Sequence, residues 1–150
     1  MEGNIDKQDT GEAKTDRGKE RGMMRTYATQ MEAARKGIVT PEMKAVAKKE
    51  YRSEEEIREL VAKGQVAICA NRLHTCIDPN GVGSMLRTKI NVNLGVSRDC
   101  KDYDVEMQKV MAAVNMGAEA IMDLSSHGDT QPFRRKLTSE CPAMIGTVPV

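Results

Sequence analysis

From Lys89 onward the chain alternates between two hydrophobic periods, and this constrains its fold more than any other feature. In Lys89-Ile-Asn-Val-Asn-Leu-Gly95, Ile90, Val92 and Leu94 fall on one side and Lys89, Asn91 and Asn93 on the other, the period of two that marks a strand. Met107, Val110, Met111 and Val114 then recur at helical spacing up to Gly117. Ala120 to Leu124 reads as a second strand, Pro132 opens a helix carrying Phe133 and Leu137 one turn apart, and Met144 to Val148 begins a third strand. Single helices between strands require crossover connections, so the expected class is α/β with a parallel sheet and right-handed crossovers. Three strands cannot close a barrel, which needs eight. Residues 87–150 are therefore expected to be the first βα units of an incomplete barrel.

The preceding residues, 23–86, read as a helical N-terminal α/β region. Thr29 to Lys36 has helix-forming composition and ends at Gly37, a natural left-handed stop. Thr40-Pro41 supplies an N-cap and a first-turn proline for a helix reaching Glu50. Ser53-Glu-Glu-Glu56 matches a capping box, after which Ile57, Leu60 and Val61 form an apolar stripe closed by Gly64. Gln65 to Ala70 reads as a short strand, and the turn formers Asp78-Pro-Asn-Gly81 predict a loop between Asn71 and Gly83. Residues 1–22 carry only Met1, Ile5 and Ala13 as apolar side chains, so they are expected to form a disordered tail. Folding is expected to begin near Met23-Met24, either of which would serve as an alternative start.

Lys+Arg and Asp+Glu nearly balance, for a net charge of +1, and aromatics make up 3% of residues with no Trp, which argues against a nucleic-acid partner. No apolar run is long enough to span a bilayer, and the N-terminus lacks a secretory signal core, so a cytoplasmic protein without membrane attachment is expected. Cys69, Cys76, Cys100 and Cys141 are spaced by seven, 24 and 41 residues, which matches neither a metal knuckle nor a disulfide scaffold. They are expected to be reduced thiols, with no metal ligand assigned to any of them. The glycine-rich phosphate and dinucleotide motifs, the zinc-protease helix motif and the serine nucleophile elbow do not occur in the chain.

In parallel α/β folds ligands sit beyond the carboxyl ends of the strands, so the polar residues there are the candidates. Asn91 and Asn93 lie opposite the apolar stripe; Asn91 equally suits a polar core layer, while Asn93 is nearer the strand end and precedes Gly95, which permits close backbone approach. Residues alone read Met122 as a core thioether and Asp123 as a cap for the next turn. His127 in its loop and His74 in another lack neighbours at metal-ligand spacing. Cys100 follows Arg98-Asp99 with no base near it in sequence.

Four segments, Thr29-Gln-Met-Glu-Ala-Ala-Arg-Lys-Gly-Ile-Val-Thr-Pro-Glu-Met43, Lys89 to Gly95, Gly117-Ala-Glu-Ala-Ile-Met-Asp-Leu-Ser125 and Ile145-Gly-Thr-Val-Pro149, give the chain its resemblance to the phosphomethylpyrimidine synthases. The resemblance covers nearly everything from residue 24 onward. It implies a radical S-adenosylmethionine lyase with an N-terminal α/β domain leading into a TIM-type barrel. Such an enzyme rearranges 5-aminoimidazole ribotide to hydroxymethylpyrimidine phosphate for thiamine. It also implies an iron-sulfur cluster, zinc and a homodimer in the full-length family, with the cluster cysteines and zinc histidines beyond residue 150. Two substrate-binding positions carry over, Asn93 and Met122; the catalytic residues do not. Ala67-Ile-Cys-Ala-Asn-Arg-Leu-His74 departs from the family's usual Ile-Pro-Ala-Asn-Ile-Asn-His, and is compatible with the sister branch that makes 5-hydroxybenzimidazole for cobamides. A third reading, from another class, is a non-catalytic binding or assembly module on the same scaffold.

Overall fold

The computed structural model describes residues 25–148; the expected tail over 1–22, the candidate start at Met23-Met24 and the final Pro149-Val150 lie outside the described residues. Three helices come first: α1 (Gln30–Arg35), α2 (Pro41–Glu50) and α3 (Glu54–Ala62). Each begins where a hydroxyl satisfies an otherwise orphaned backbone amide. Thr29, Thr40 and Ser53 are the N-caps, Pro41 occupies the first turn of α2, and Glu56 completes the capping box of α3 by accepting from the Ser53 amide at 2.9 Å. Ala33, Ala34, Met43, Val46, Ala47, Ile57, Val61 and Val66 are packed into one apolar cluster.

Strand β1 (Val66–Cys69) follows, and it pairs antiparallel with β2 (Asn80–Gly83). This corrects the expectation that the loop runs to Gly83. Gly81 and Gly83 look like turn formers, but here their missing side chains permit close packing. A Cβ on Gly81 would lie 2.9 Å from Val46 of α2, and one on Gly83 would lie 2.1 Å from the Gln65 carbonyl oxygen.

The second half is the expected βα series: β3 (Asn91–Leu94), α4 (Tyr103–Asn115), β4 (Ala120–Asp123), α5 (Gln131–Glu140) and β5 (Met144–Thr147). The three strands form a parallel sheet in the order β3-β4-β5. Met107, Val110 and Ala113 of α4 and Phe133 and Leu137 of α5 pack with Ile121, Cys141 and Ala143 into a second cluster, against which Val92, Leu94 and Ile145 rest. Three details differ from expectation. Ile90 stands 61% exposed just before β3, and Met111 points outward because Glu106 and Ala113 occupy the inner face of α4. Lys89 also leaves the asparagine face: its side chain is buried in an ion pair with Glu50, at the end of α2. That carboxylate additionally accepts the Arg87 amide at 2.8 Å, tying the first helices to the lead-in of β3.

Candidate functional site

The parallel register places Asn93 of β3 beside Met122 of β4, and Met122 beside Gly146 of β5. Cross-strand partners share a face of the sheet, so these three residues form one row. The opposite face, bearing Val92, Leu94, Ile121 and Ile145, packs on the helices. Asn93 is exposed and Met122 half-buried. Asn91, two residues back on the same face, donates from Nδ2 to Asn93 Oδ1 at 2.9 Å, which leaves the Asn93 amide nitrogen outward as a donor. Asn91 therefore bonds within its own strand rather than to a neighbouring one. Met122 is not the fully enclosed core thioether that residue type alone favours.

The loops that follow β3 and β4 are joined backbone to backbone. The Leu124 amide donates to the Leu94 carbonyl at 2.7 Å and the Ser126 amide to the Val96 carbonyl at 3.1 Å, so the pairing runs on past the strand ends. Gly95 is essential to this approach. Its φ is 144°, and a Cβ there would lie 2.5 Å from the Ser125 amide nitrogen. Side chains complete the joint: buried Glu106 accepts the Gly95 amide at 3.0 Å, and Ser125 Oγ accepts the Val96 amide at 3.1 Å.

Asp123 is fully buried on the helix side. Its Oδ1 accepts the Ser125 amide at 3.0 Å, the turn-capping role expected of it, and its Oδ2 accepts Arg134 Nε of α5 at 2.9 Å. Burial alone would raise its pKa, but the Arg134 and Ser125 hydrogen bonds outweigh burial and hold the carboxyl below the usual aspartate range. Glu106, Ser125 and Arg134 were not marked by sequence reasoning, because their partners are backbone groups or lie a whole element away.

The remaining candidates lie apart from the row. His127 is half-buried in the loop after β4, and Cys100 is exposed in a turn whose amide Ser97 Oγ accepts at 3.3 Å. His74 is buried elsewhere, donating from Nε2 to the Cys141 carbonyl oxygen. Cys76 Sγ points at that same oxygen from 3.2 Å, and burial pushes the Cys141 thiol pKa up. Among the described residues no three His, Cys, Asp or Glu side chains converge as a metal site. Among the described residues no three thiols come together as an iron-sulfur cluster would require.

A family model described as "Radical SAM ThiC family" matches residues 29–150. The chain belongs to that family. It is 60% identical over 124 residues to the phosphomethylpyrimidine synthase of Alkaliphilus oremlandii, an alignment covering 83% of this chain and 28% of that protein. A phosphomethylpyrimidine synthase of Clostridium botulinum is 58% identical over the same coverage. The chain thus spans 28% of the length of these relatives. In this chain the row of Asn93, Met122 and Gly146 lies towards the carboxyl ends of the parallel strands, where ligands of such folds sit, and is the candidate site.

Proposed function

We propose that this chain is the N-terminal part of a phosphomethylpyrimidine synthase that rearranges 5-aminoimidazole ribotide to hydroxymethylpyrimidine phosphate in thiamine biosynthesis. The observation that carries this reading is the pairing of Asn93 with Met122 on an open sheet face, in a chain of the radical SAM ThiC family. Asn93 hydrogen-bonds the ribotide through its outward amide nitrogen, and Met122 packs its thioether on the heterocycle. Further strands of the full-length enzyme close these βα units into a TIM-type barrel, with residues 23–86 as its N-terminal helical α/β region. S-adenosylmethionine, an iron-sulfur cluster and zinc belong to the rest of that enzyme, which works as a cytoplasmic homodimer. The cofactor supplies the radical step, and the residues of this chain position the substrate. Among the described residues no helix is long and apolar enough to cross a membrane.

The test is ribotide binding by the full-length enzyme. Losing one buried hydrogen-bond partner costs roughly 1–3 kcal/mol, so Asn93→Ala is expected to weaken ribotide binding by about tenfold or more. Unchanged affinity removes Asn93 from the site. The departure at Ala67 to His74 is also compatible with a second reading, 5-hydroxybenzimidazole synthesis from the same ribotide. Product identification separates the two.

A further inference from the structure

Gly146 is a glycine for which the backbone supplies no reason. It lies in the middle of β5, and its φ is not among the positive values that favour glycine. Alanine at this position would meet no backbone: within 4 Å its Cβ would find only Met122 Cε and Sδ, both at 2.9 Å. The room left by the missing side chain is therefore taken up by the Met122 thioether, which lies across Gly146 on the same face as Asn93.

We infer that Gly146 is a positioning residue of this site: by having no side chain it lets the Met122 thioether lie flat, so that the row from Asn93 to Gly146 accepts a planar heterocycle such as the imidazole of the ribotide. A methyl group on residue 146 would compete for the thioether's place. Met122 would then swing along the row towards Asn93 or lift from the sheet, and either movement narrows the surface on which a flat ring rests. Methionine has flexible torsions, so the fold absorbs the change while the site does not. This inference rests on the ribotide reading for the identity of the ligand, but the pose of Met122 is independent of it.

The experiment combines two readouts. In the full-length enzyme labelled with methyl-13C methionine, and assigned with Met122→Ala, the Met122 methyl is expected to show a nuclear Overhauser contact to the Gly146 α-protons and to move on Gly146→Ala. In the full-length enzyme Gly146→Ala is expected to weaken 5-aminoimidazole ribotide binding about tenfold, the equivalent of roughly 1.4 kcal/mol. The same substitution made on top of Met122→Ala is expected to cost nothing further, because there is no thioether left to displace. Equal penalties in the two backgrounds, or a Met122 methyl with no contact to residue 146, overturn the positioning role. Failure of the unsubstituted enzyme to bind ribotide overturns the ligand reading, and the methyl contact still decides the role of Gly146.

Discussion

Asp123 shows how a residue beside a site can serve it without facing it. Its side chain turns away from the row, yet it holds the turn after β4 through Ser125 and fastens that turn to α5 through Arg134. A hydrogen bond to a charged group contributes roughly 1.5–3 kcal/mol. Asp123→Asn is accordingly expected to lower unfolding free energy by that amount at neutral pH. The folded carboxyl has a depressed pKa, so its contribution is complete above the unfolded value of about 4 and disappears as the pH falls through the folded value. Urea unfolding at pH 7 and at about pH 3 checks this, since the gap between the two proteins should narrow in acid; a constant gap would show that the charge is not what stabilises the turn. The capping half of this role could be read from Asp-Leu-Ser, because local hydrogen bonding of aspartate is a short-range property. The Arg134 half could not, since the pairing depends on where α5 lands.

At the level of elements, the helix starts and the parallel strands were legible because caps, prolines and hydrophobic periods act within a few residues. Thr40-Pro41 and Ser53 to Glu56 behave as written. The β2 strand was not legible: Asn80-Gly-Val-Gly83 has the composition of a turn, and its glycines answer to the proximity of Val46 and Gln65 and, at Gly83, to a φ of 145°. Gly95 belongs to the legible group, but its reason is the neighbouring loop rather than a ligand. Gly95→Ala would combine an unfavourable φ with a contact of 2.5 Å to the Ser125 nitrogen, backbone that cannot swing aside. The expected loss is roughly 2 kcal/mol or more. Thermal unfolding checks it, and amide exchange at Leu124 and Ser126 should accelerate selectively as the two loops part; a variant with unchanged melting and exchange would mean the loops are not joined through this residue.

For the whole molecule, the sheet among the described residues ends at β3 on one side and β5 on the other. Strand edges of this kind pair readily with another chain. Expressed alone, the 150 residues are expected to self-associate and to form no 5′-deoxyadenosine after anaerobic reconstitution, as read by solution mass and product analysis; turnover by a well-behaved monomer would overturn the proposal that the chemistry needs the rest of the enzyme. The stretch from Asn71 to Pro79 adds a constraint in time. His74, Cys76 and the Asp78 amide all reach carbonyls between Thr138 and Pro142, so the end of α5 is capped by residues made more than sixty positions earlier. On a ribosome those donors emerge long before their acceptors exist. The hairpin of β1 and β2 must therefore wait with an unfinished tip until α5 has left the exit tunnel, and the two halves of the chain complete their folding together rather than in order of synthesis.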